Sequence, residues 1–404
     1  LLYDGLRATW KQKGDSLNTS EDDDSRTLLR SEEMYVALVC GVDPSKEGAS
    51  GVLTYVLGLT KALAKMGVKV KIIGIGSAGP LQNYDVDFRA VQDRTTTSLR
   101  FLFNLMKTIF SLELSKDTII HAQRPDDLFP FCIFHPRNPK IVTLHGSHSD
   151  SVRLNKGEIV GKIYDMIESF TLKRTSSILC VSKSTYLQFQ EKYPSLKNKM
   201  HLVYIGIDTE FFSPTPKQEA RKKLGFESWK HILLYAGRLV KEKRIDLILK
   251  AFKYVEAKND ETLLIMVGGG RDEDELKSLA RKLSLSNIKF LPVGTKSDIQ
   301  LLLGSADAII ITSKREGLPT IAMEALACGT PVISTPVGII PEIVESGING
   351  IIVTDIDELP IIMEKVLVTS SDMSRNCPES VSRFSWELKS KEIVAIYNET
   401  SPKG

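Results

Sequence analysis

Residues 35–75, YVALVCGVDPSKEGASGVLTYVLGLTKALAKMGVKVKIIGI, decide the fold. The apolar run at 35–40 predicts a buried strand, and a glycine-containing loop then leads into a helical pattern that ends at Gly67. A second run rich in Val and Ile predicts the next strand. Strand, helix and strand in this order form a βαβ unit, in which the two strands are parallel.

The same alternation continues to about residue 212 and begins again after the proline-containing segment SPTPKQEARKKLG. We therefore predict an α/β chain with two domains, each built on a parallel sheet. The segment DMSRNCPES reads as a loop before a final helical pattern. The predicted parts are a mobile tail at 1–30, an N-terminal domain at 31–212, a C-terminal domain at 213–380 and a C-terminal helix at 381–404.

The composition is that of an ordinary globular protein with room for two cores. The 404 residues are 42% hydrophobic and 25% charged, and the formal net charge of +3 is too small to predict a nucleic-acid partner. Five scattered cysteines form no C-x-x-C pair, which indicates free thiols in a reducing compartment. No apolar run is long enough to predict a transmembrane helix.

An amphipathic segment at 99–110 has two interpretations. It can cover a sheet, as helices in α/β domains do, or it can lie on a membrane surface. Residues 31–212 contain 22 Lys and Arg against 18 Asp and Glu, so the first domain is mildly basic. The alternation of strands and helices favours the sheet-covering interpretation.

The segment EGLPTIAMEALACGTPV, which begins at Glu316, places one carboxylate in a loop and another in a helix. Pro319 suits a first helical turn, so we predict a helix from Thr320 to Cys328. Its free N–H groups favour a phosphate, and the carboxylates of Glu316 and Glu324 suit sugar hydroxyls. That combination predicts a nucleotide-sugar site, although Glu324 could equally be a solvated helix residue.

Other candidate residues also follow predicted strands. Arg238 and Lys243 stand where two cations could neutralise a diphosphate, or they belong to a solvated basic loop. Gly51 could admit a phosphate close to the backbone, or it could simply form a turn. His145 could contact a substrate hydroxyl or move a proton, and His148 is a weaker candidate; a lone histidine is more often structural.

In order, these segments resemble one family of enzymes. The segments are EGASGVLTYVLGLTKALAKMG, TLHG, CVSKS, YIGIDTEFF, YAGRLVKEKRIDLIL, VGGG, EGLPTIAMEALACGTPVIST and FSW. Over about 35–400 the chain resembles the GT4 family of retaining glycosyltransferases, which have the GT-B fold. The resemblance implies two Rossmann-like lobes facing across a cleft, with the donor on the C-terminal lobe and the acceptor on the N-terminal lobe. It also implies that the final helix crosses back to the N-terminal lobe.

The resemblance assigns roles to residues of this chain by position. The residues implied to act in catalysis are Arg238, Lys243, Glu316 and His145. The residues implied to bind the donor are Gly51, Val293, Gly294, Gly317, Leu318, Pro319, Thr320 and Glu324. Arg238 and Lys243 would hold the diphosphate, Glu316 the sugar and Glu324 the ribose. The resemblance implies neither a metal ion nor a tightly bound cofactor, because the nucleotide-diphosphate sugar is a co-substrate.

Three positions depart from the family pattern. Ser50 precedes Gly51 where a second glycine is common, Arg244 follows Lys243 where glycine is common, and Ile205 replaces an asparagine. None of these departures removes a charged donor contact. They put loop geometry and acceptor choice in doubt.

The resulting hypothesis is a cytoplasmic retaining glycosyltransferase. It would move a sugar to a hydroxyl of a glycan, lipid-linked or small-molecule acceptor in cell-envelope polysaccharide or glycolipid synthesis. Peripheral contact with an anionic membrane at its inner face is a further hypothesis. The alternatives are an epimerase or phosphorylase of the same fold, and a catalytically silent subunit that only binds nucleotide sugar or scaffolds a membrane complex.

Overall fold

The computed structural model describes residues 34–45, 51–93, 98–146, 148–316 and 319–400. The tail predicted at 1–30 lies outside these residues. Within them the chain forms one seven-stranded and one six-stranded sheet, and every strand pairing is parallel. The predicted α/β class with two sheets is therefore confirmed.

The first sheet and its helices form what we call the N-terminal lobe. Its strands are β1 (Tyr35–Val39), β2 (Lys69–Ile75), β3 (Val86–Gln92), β4 (Ile119–Ala122), β5 (Lys140–Leu144), β6 (Ser177–Cys180) and β7 (Met200–Leu202), in the order β3-β2-β1-β4-β5-β6-β7. Its described helices are α1 (Gly51–Lys65), α2 (Ser98–Thr108), α3 (Pro125–Phe134), α4 (His148–Lys156), α5 (Glu158–Arg174) and α6 (Lys183–Lys192).

The second sheet and its helices form the C-terminal lobe. Its strands are β8 (His231–Ala236), β9 (Thr262–Val267), β10 (Ile288–Leu291), β11 (Ala308–Ile311), β12 (Val332–Ser334) and β13 (Gly350–Ile352), in the order β10-β9-β8-β11-β12-β13. Its described helices are α7 (Lys217–Leu224), α8 (Ile245–Lys258), α9 (Glu273–Lys282), α10 (Lys296–Ser305), α11 (Thr320–Ala327), α12 (Ile340–Ile343), α13 (Leu359–Ser374) and α14 (Cys377–Ser382). A last helix, α15 (Trp386–Thr400), follows them.

Each sheet is buried on both faces, which explains why its strands read as apolar runs rather than as alternating patterns. Two hydrophobic clusters lie on opposite faces of each sheet. Helix α2 covers the N-terminal sheet through Phe101 and Leu105, which are buried. The sheet-covering interpretation of this segment is therefore confirmed.

The final helix α15 packs on the N-terminal lobe, as the resemblance implied. Its first residue, Trp386, lies in the N-terminal core and contacts the backbone at Gly58 and Gly206 so closely that a Cβ at either glycine would overlap the indole. The chain crosses between the lobes twice, and the crossings are joined where Ile207 N–H donates to Phe384 O at 2.8 Å and Trp386 N–H donates to Ile207 O at 3.0 Å.

The segment DMSRNCPES was predicted as a loop, and that prediction is wrong. Helix α13 continues to Ser374, and α14 begins at Cys377. Pro378 is compatible with a helix here because it occupies the first turn, where its missing N–H removes no hydrogen bond. Cys377 and Val381 are buried against the C-terminal core, and this packing stabilises the helix.

Candidate functional site

The strand order of the C-terminal sheet brings three loops of the chain together. Strands β9, β8 and β11 are neighbours and parallel, so the segments after them meet at one edge of the sheet. Those segments contain the glycines at 268–270, Arg238 and Glu316. Ligands of open α/β sheets bind at this carboxyl edge.

Lys243 and Glu316 contact each other directly. The ammonium of Lys243 forms an ion pair with Glu316 Oε1, and both side chains are mostly buried. The hydroxyl of Ser313 donates to the same carboxylate oxygen at 2.6 Å. The structure therefore brings together two of the predicted residues and adds Ser313, which the sequence did not indicate.

The loop that carries Lys243 is fixed by the segment after β11. The hydroxyl of Thr312 donates to the carbonyls of Lys243 and Arg244 at 2.9 and 3.0 Å. Arg244 adopts the left-handed conformation, with φ 51° and ψ 43°. A side chain in this region is strained, so the loop holds Lys243 in place at a cost in backbone energy.

Arg238 lines a cavity of about 510 Å³ with Val240, Glu242, Gly269, Gly270 and Arg271. A Cβ at Gly268 or Gly270 would overlap the backbone of the loop after β8, so glycine is required at both positions. The run of glycines was visible in the sequence but carried no predicted role. Arg271 was also missed, because an arginine at the start of a helical pattern is common on a solvated surface.

The helix predicted from Thr320 to Cys328 is α11, which begins at Thr320 with Pro319 at its N-cap and ends at Ala327. Gly317 and Leu318 lie outside the described residues. Burial raises the pKa of the Glu324 carboxyl to about 7, and Lys296 partly offsets this effect. The alternative of a solvated Glu324 is therefore not supported.

Three further predicted donor positions are open to solvent. Val293 and Gly294 are exposed in the loop after β10, at the edge strand of the sheet. Gly51 is the exposed first residue of α1, and no other part of the described chain lies within 4 Å of the place where its Cβ would be. Packing among the described residues therefore does not require glycine at 51.

On the N-terminal lobe, His145 follows β5 and is held by two residues that the sequence did not indicate. Its Nε2 lies 3.0 Å from Gln123 Oε1, and the ring of Tyr55 meets the imidazole edge-on with centroids 5.0 Å apart. Burial, with a smaller contribution from nearby His148, lowers the pKa of His145 to about 3. His145 is therefore neutral at physiological pH.

Several buried polar groups adjoin His145 at the carboxyl ends of β4 and β5. Arg124 forms an ion pair with Asp126. Within the described residues, Gln123 Nε2, Asp127 Oδ2 and His148 Nε2 are buried without a hydrogen-bond partner. Buried polar atoms are normally satisfied, so three such atoms in neighbouring residues indicate a place where polar groups of water or ligand are accommodated.

Within the part of the chain that the structure describes, no group of three or more His, Cys, Asp or Glu side chains is arranged to hold a metal ion. No described helix is both long enough and apolar enough to cross a bilayer. All five cysteines are buried free thiols.

Comparisons with known proteins agree with this architecture. Residues 216–368 match the family Glycosyl transferases group 1, and residues 49–211 match Glycosyltransferase Family 4. D-inositol 3-phosphate glycosyltransferase of Mycobacterium marinum is 30% identical over 212 residues, which are 49% of this chain and 45% of that relative. The chain thus matches about half the length of such relatives.

Solved structures resemble the chain over most of its length. Anabaena HepE in complex with UDP and glucose has a TM-score of 0.69 at 19% identity, over 90% of this chain and 98% of that one. Sucrose-phosphate synthase from Thermosynechococcus elongatus has a TM-score of 0.74 at 20% identity, over 90% and 98% of the two chains. The two family matches show that the chain belongs to the GT4 family of glycosyltransferases. The likenesses to solved structures show that it has the GT-B fold.

Proposed function

We propose that the protein is a retaining glycosyltransferase that moves a sugar from a nucleotide-diphosphate sugar to an acceptor hydroxyl. The observation that carries this proposal is the contact between Lys243 and Glu316 at the carboxyl edge of the C-terminal sheet, beside the cavity of Arg238. A cation and a carboxylate there match the two halves of the donor, the diphosphate and the sugar.

Binding of the donor would replace the ion pair between Lys243 and Glu316. The diphosphate would take the Lys243 ammonium and the Arg238 guanidinium, since phosphate oxygens accept strong hydrogen bonds from both. Glu316 would then be released to accept hydroxyl hydrogens of the sugar. Ser313 already donates to Glu316 Oε1 at 2.6 Å and would keep that carboxylate oriented during the exchange.

Cleavage of the bond between the sugar and the phosphate leaves positive charge on the ring and negative charge on the diphosphate. The two cations would stabilise the leaving group without a metal ion, as electrostatic preorganisation requires. The acceptor hydroxyl would attack from the face that the diphosphate leaves, and the leaving phosphate would take the hydroxyl proton. Configuration at the anomeric carbon would be retained.

We place the acceptor on the lobe predicted at 31–212 and the donor on the lobe predicted at 213–380. The support for the acceptor side is the group of unsatisfied buried atoms in Gln123, Asp127 and His148. They comprise a donor, an acceptor and an imidazole nitrogen that can act as either, which is the mixture that a hydroxylated acceptor complements. The mycobacterial relatives are named for a phosphorylated inositol, so a polyol acceptor is consistent with them.

A thermal-shift screen with UDP, GDP, ADP and their common sugars tests the donor assignment. We expect stabilisation by one nucleotide series in EDTA, and its loss in the variants Glu324→Ala and Lys243→Ala. Product analysis by NMR would then establish whether the anomeric configuration is retained. Absence of any shift would overturn the proposal and favour a catalytically silent subunit that scaffolds a membrane complex.

An epimerase would consume nucleotide sugar without an acceptor, and a phosphorylase would require inorganic phosphate. Incubating the nucleotide sugar alone, with phosphate and with a panel of hydroxyl acceptors separates these activities. We expect turnover only with a hydroxyl acceptor. Conversion of the nucleotide sugar alone would replace the transferase by an epimerase.

We also propose that the N-terminal lobe contacts an anionic membrane during envelope synthesis. The large apolar side chains of α5 that face solvent lie along one side, with Ile159 77% and Met166 73% exposed. Phe110, just after α2, is 74% exposed and packs edge-on against Phe134 of α3. Helix α3 contacts both α2 and α5, so these side chains belong to one surface.

Basic residues border this apolar surface. Lys107 lies over the ring of Phe103, with Nζ 4.4 Å from the centroid, and Arg174 lies 3.7 Å from the centroid of Phe170. Lys162 and Lys173 are exposed on α5. Apolar side chains flanked by cations match the interface of a bilayer with anionic lipids.

Sedimentation with vesicles measures this contact. We expect retention by phosphatidylglycerol-containing vesicles at low salt, weaker retention in phosphatidylcholine, and loss in the double variant Ile159→Asp, Met166→Asp. Val368→Asp is the control, since Val368 is 84% exposed on α13 of the other lobe. Equal retention of the double variant would contradict the assignment of this surface.

A further inference from the structure

His145 makes a defined hydrogen bond within the N-terminal lobe. Its Nε2 lies 3.0 Å from the side-chain oxygen of Gln123, which follows β4. Gln123 is buried, and its backbone N–H donates to Val39 O of β1 at 3.1 Å. The backbone of Gln123 is therefore held by the framework of the sheet, and Tyr55 packs against the imidazole from α1.

The chemistry of the two groups determines where the imidazole carries its hydrogen. An amide oxygen can only accept a hydrogen bond, so Nε2 of His145 must donate. The imidazole is neutral, since burial lowers its pKa to about 3, and a neutral imidazole has a single N–H. Its Nδ1 is then a lone-pair acceptor, and it has no hydrogen-bond partner within the described residues.

We propose that Gln123 is a positioning residue that fixes the Nε2–H tautomer of His145, so that the imidazole meets the substrate only as an acceptor, through Nδ1. The group that it accepts from would be a hydroxyl of the transferred sugar, and this part of the inference rests on the proposed function. The tautomer itself does not depend on which substrate binds.

A neutral acceptor suits the reaction better than a charged donor would. The sugar ring becomes positively charged as its bond to the leaving phosphate breaks, and an imidazolium close to it would oppose that charge. The titratable side chains that face His145 are Tyr55 on α1, His121 on β4 and His148 on α4. None of these three is a carboxylate, and the nearby carboxylates of Asp126 and Asp127 lie beside the guanidinium of Arg124, which offsets their charge.

The tautomer can be measured directly by long-range ¹H–¹⁵N correlation spectra of the full chain labelled at histidine. Six histidines are present, so His145→Ala identifies the signals. We expect the Nε2–H form between pH 5.5 and 8, with or without bound nucleotide. An Nδ1–H tautomer, or an imidazolium in this range, would overturn the proposal.

Substitutions at Gln123 separate positioning from mere support of the fold. In Gln123→Glu the new carboxylate would stabilise the imidazolium, so His145 should titrate at higher pH and the acid limb of the kcat/KM profile should move up with it. In Gln123→Leu both tautomers should coexist, and kcat/KM should fall about 10- to 100-fold, the range seen when residues that orient a functional histidine are removed.

The control is Gln92→Glu, which adds the same charge to the same lobe at a residue whose side chain contacts Asn104 instead. A purely structural Gln123 would lower kcat/KM by one factor at every pH and would leave the His145 spectrum unchanged, and that result would refute positioning. If the spectra show the Nε2–H tautomer of His145 but the protein transfers no sugar, the positioning role of Gln123 would stand and only the proposed function would be refuted.

Discussion

The residues predicted to act in catalysis have opposite chemistry at the carboxyl edges of the two sheets. The C-terminal edge uses charge, with Lys243 paired to Glu316 and Arg238 beside a cavity. The N-terminal edge uses a neutral imidazole, His145, held by the buried amide of Gln123. The difference indicates that fixed charge serves to hold an anion, whereas buried hydrogen bonds serve to orient a neutral contact.

The largest effect that we expect is on stability, and it tests whether α15 belongs with the N-terminal lobe. Trp386→Ala should lower the free energy of unfolding by about 3–5 kcal/mol, because it removes a large buried side chain. The indole fills the space between the backbones at Gly58 and Gly206 and meets the ring of Tyr55. Urea unfolding measures the loss when it is monitored by the far-UV circular dichroism of the backbone, because this signal does not depend on tryptophan fluorescence.

Leu388→Ala provides the control on the same helix, since Leu388 is 44% exposed. Gly58→Ala should resemble Trp386→Ala, because the added Cβ would displace the indole. If Trp386→Ala cost no more than Leu388→Ala, the packing of α15 would not stabilise the N-terminal lobe.

The next effect tests the charged edge. Lys243→Ala should lower kcat by about 10²–10³-fold, because one preorganised donor to the leaving group is lost. Lys241→Ala is the matched control, as Lys241 is exposed on the same loop and lines neither described cavity. A steady-state assay at saturating donor compares them. Similar kcat values for the two variants would mean that charge on this loop, rather than the position of Lys243, matters.

The same contrast explains what could be predicted from the sequence. The charged residues of the C-terminal edge can be recognised in the sequence because they follow predicted apolar strands. This signal lies within a short stretch of the chain, and it identifies Arg238, Lys243 and Glu316. The contacts Gln123–His145 and Tyr55–His145 join residues far apart in the chain, and no local pattern reports them. Polar residues that act as neutral hydrogen-bond partners look like ordinary core or loop residues until the sheet order is known.

Glu324 adds a pH-dependent test of the charged edge. Burial raises the pKa of Glu324 from 4.5 to about 7, so between these values Glu324 holds a proton in the folded protein but not in the unfolded chain. The contribution of Glu324 to the free energy of unfolding is therefore present below pH 4.5 and is lost as the pH rises through 7. Ribose hydroxyls would favour the carboxylate, so nucleotide affinity should weaken about tenfold per pH unit below pH 7.

Calorimetric titration of the nucleotide from pH 5.5 to 8.5 measures that dependence, and Glu324→Gln should remove it. Glu358→Gln, a substitution at an exposed carboxylate of the same lobe, should leave it in place. A pH dependence that persists in Glu324→Gln would have to arise elsewhere, for example from the phosphate itself.

The smallest expected effect concerns strain in the backbone, and the two lobes differ in this property as well. Among described residues, only Arg244 and Ser284 have a positive φ without being glycine, and both lie on the C-terminal lobe. Arg244→Gly should raise the free energy of unfolding by about 1 kcal/mol, because glycine adopts this conformation without strain.

Ser284→Gly is the matched control, since Ser284 has nearly the same positive φ, 53° against 51° for Arg244, at an exposed position outside the candidate site. Both variants should melt at a higher temperature, but only Arg244→Gly should alter kcat/KM. Arg244 lies beside Lys243 and lines a cavity of about 640 Å³ with Lys314 and Asp355, so its side chain can affect what reaches the diphosphate. If both variants kept the original kcat/KM, the left-handed conformation at Arg244 would have only a structural role in the loop and no role in activity.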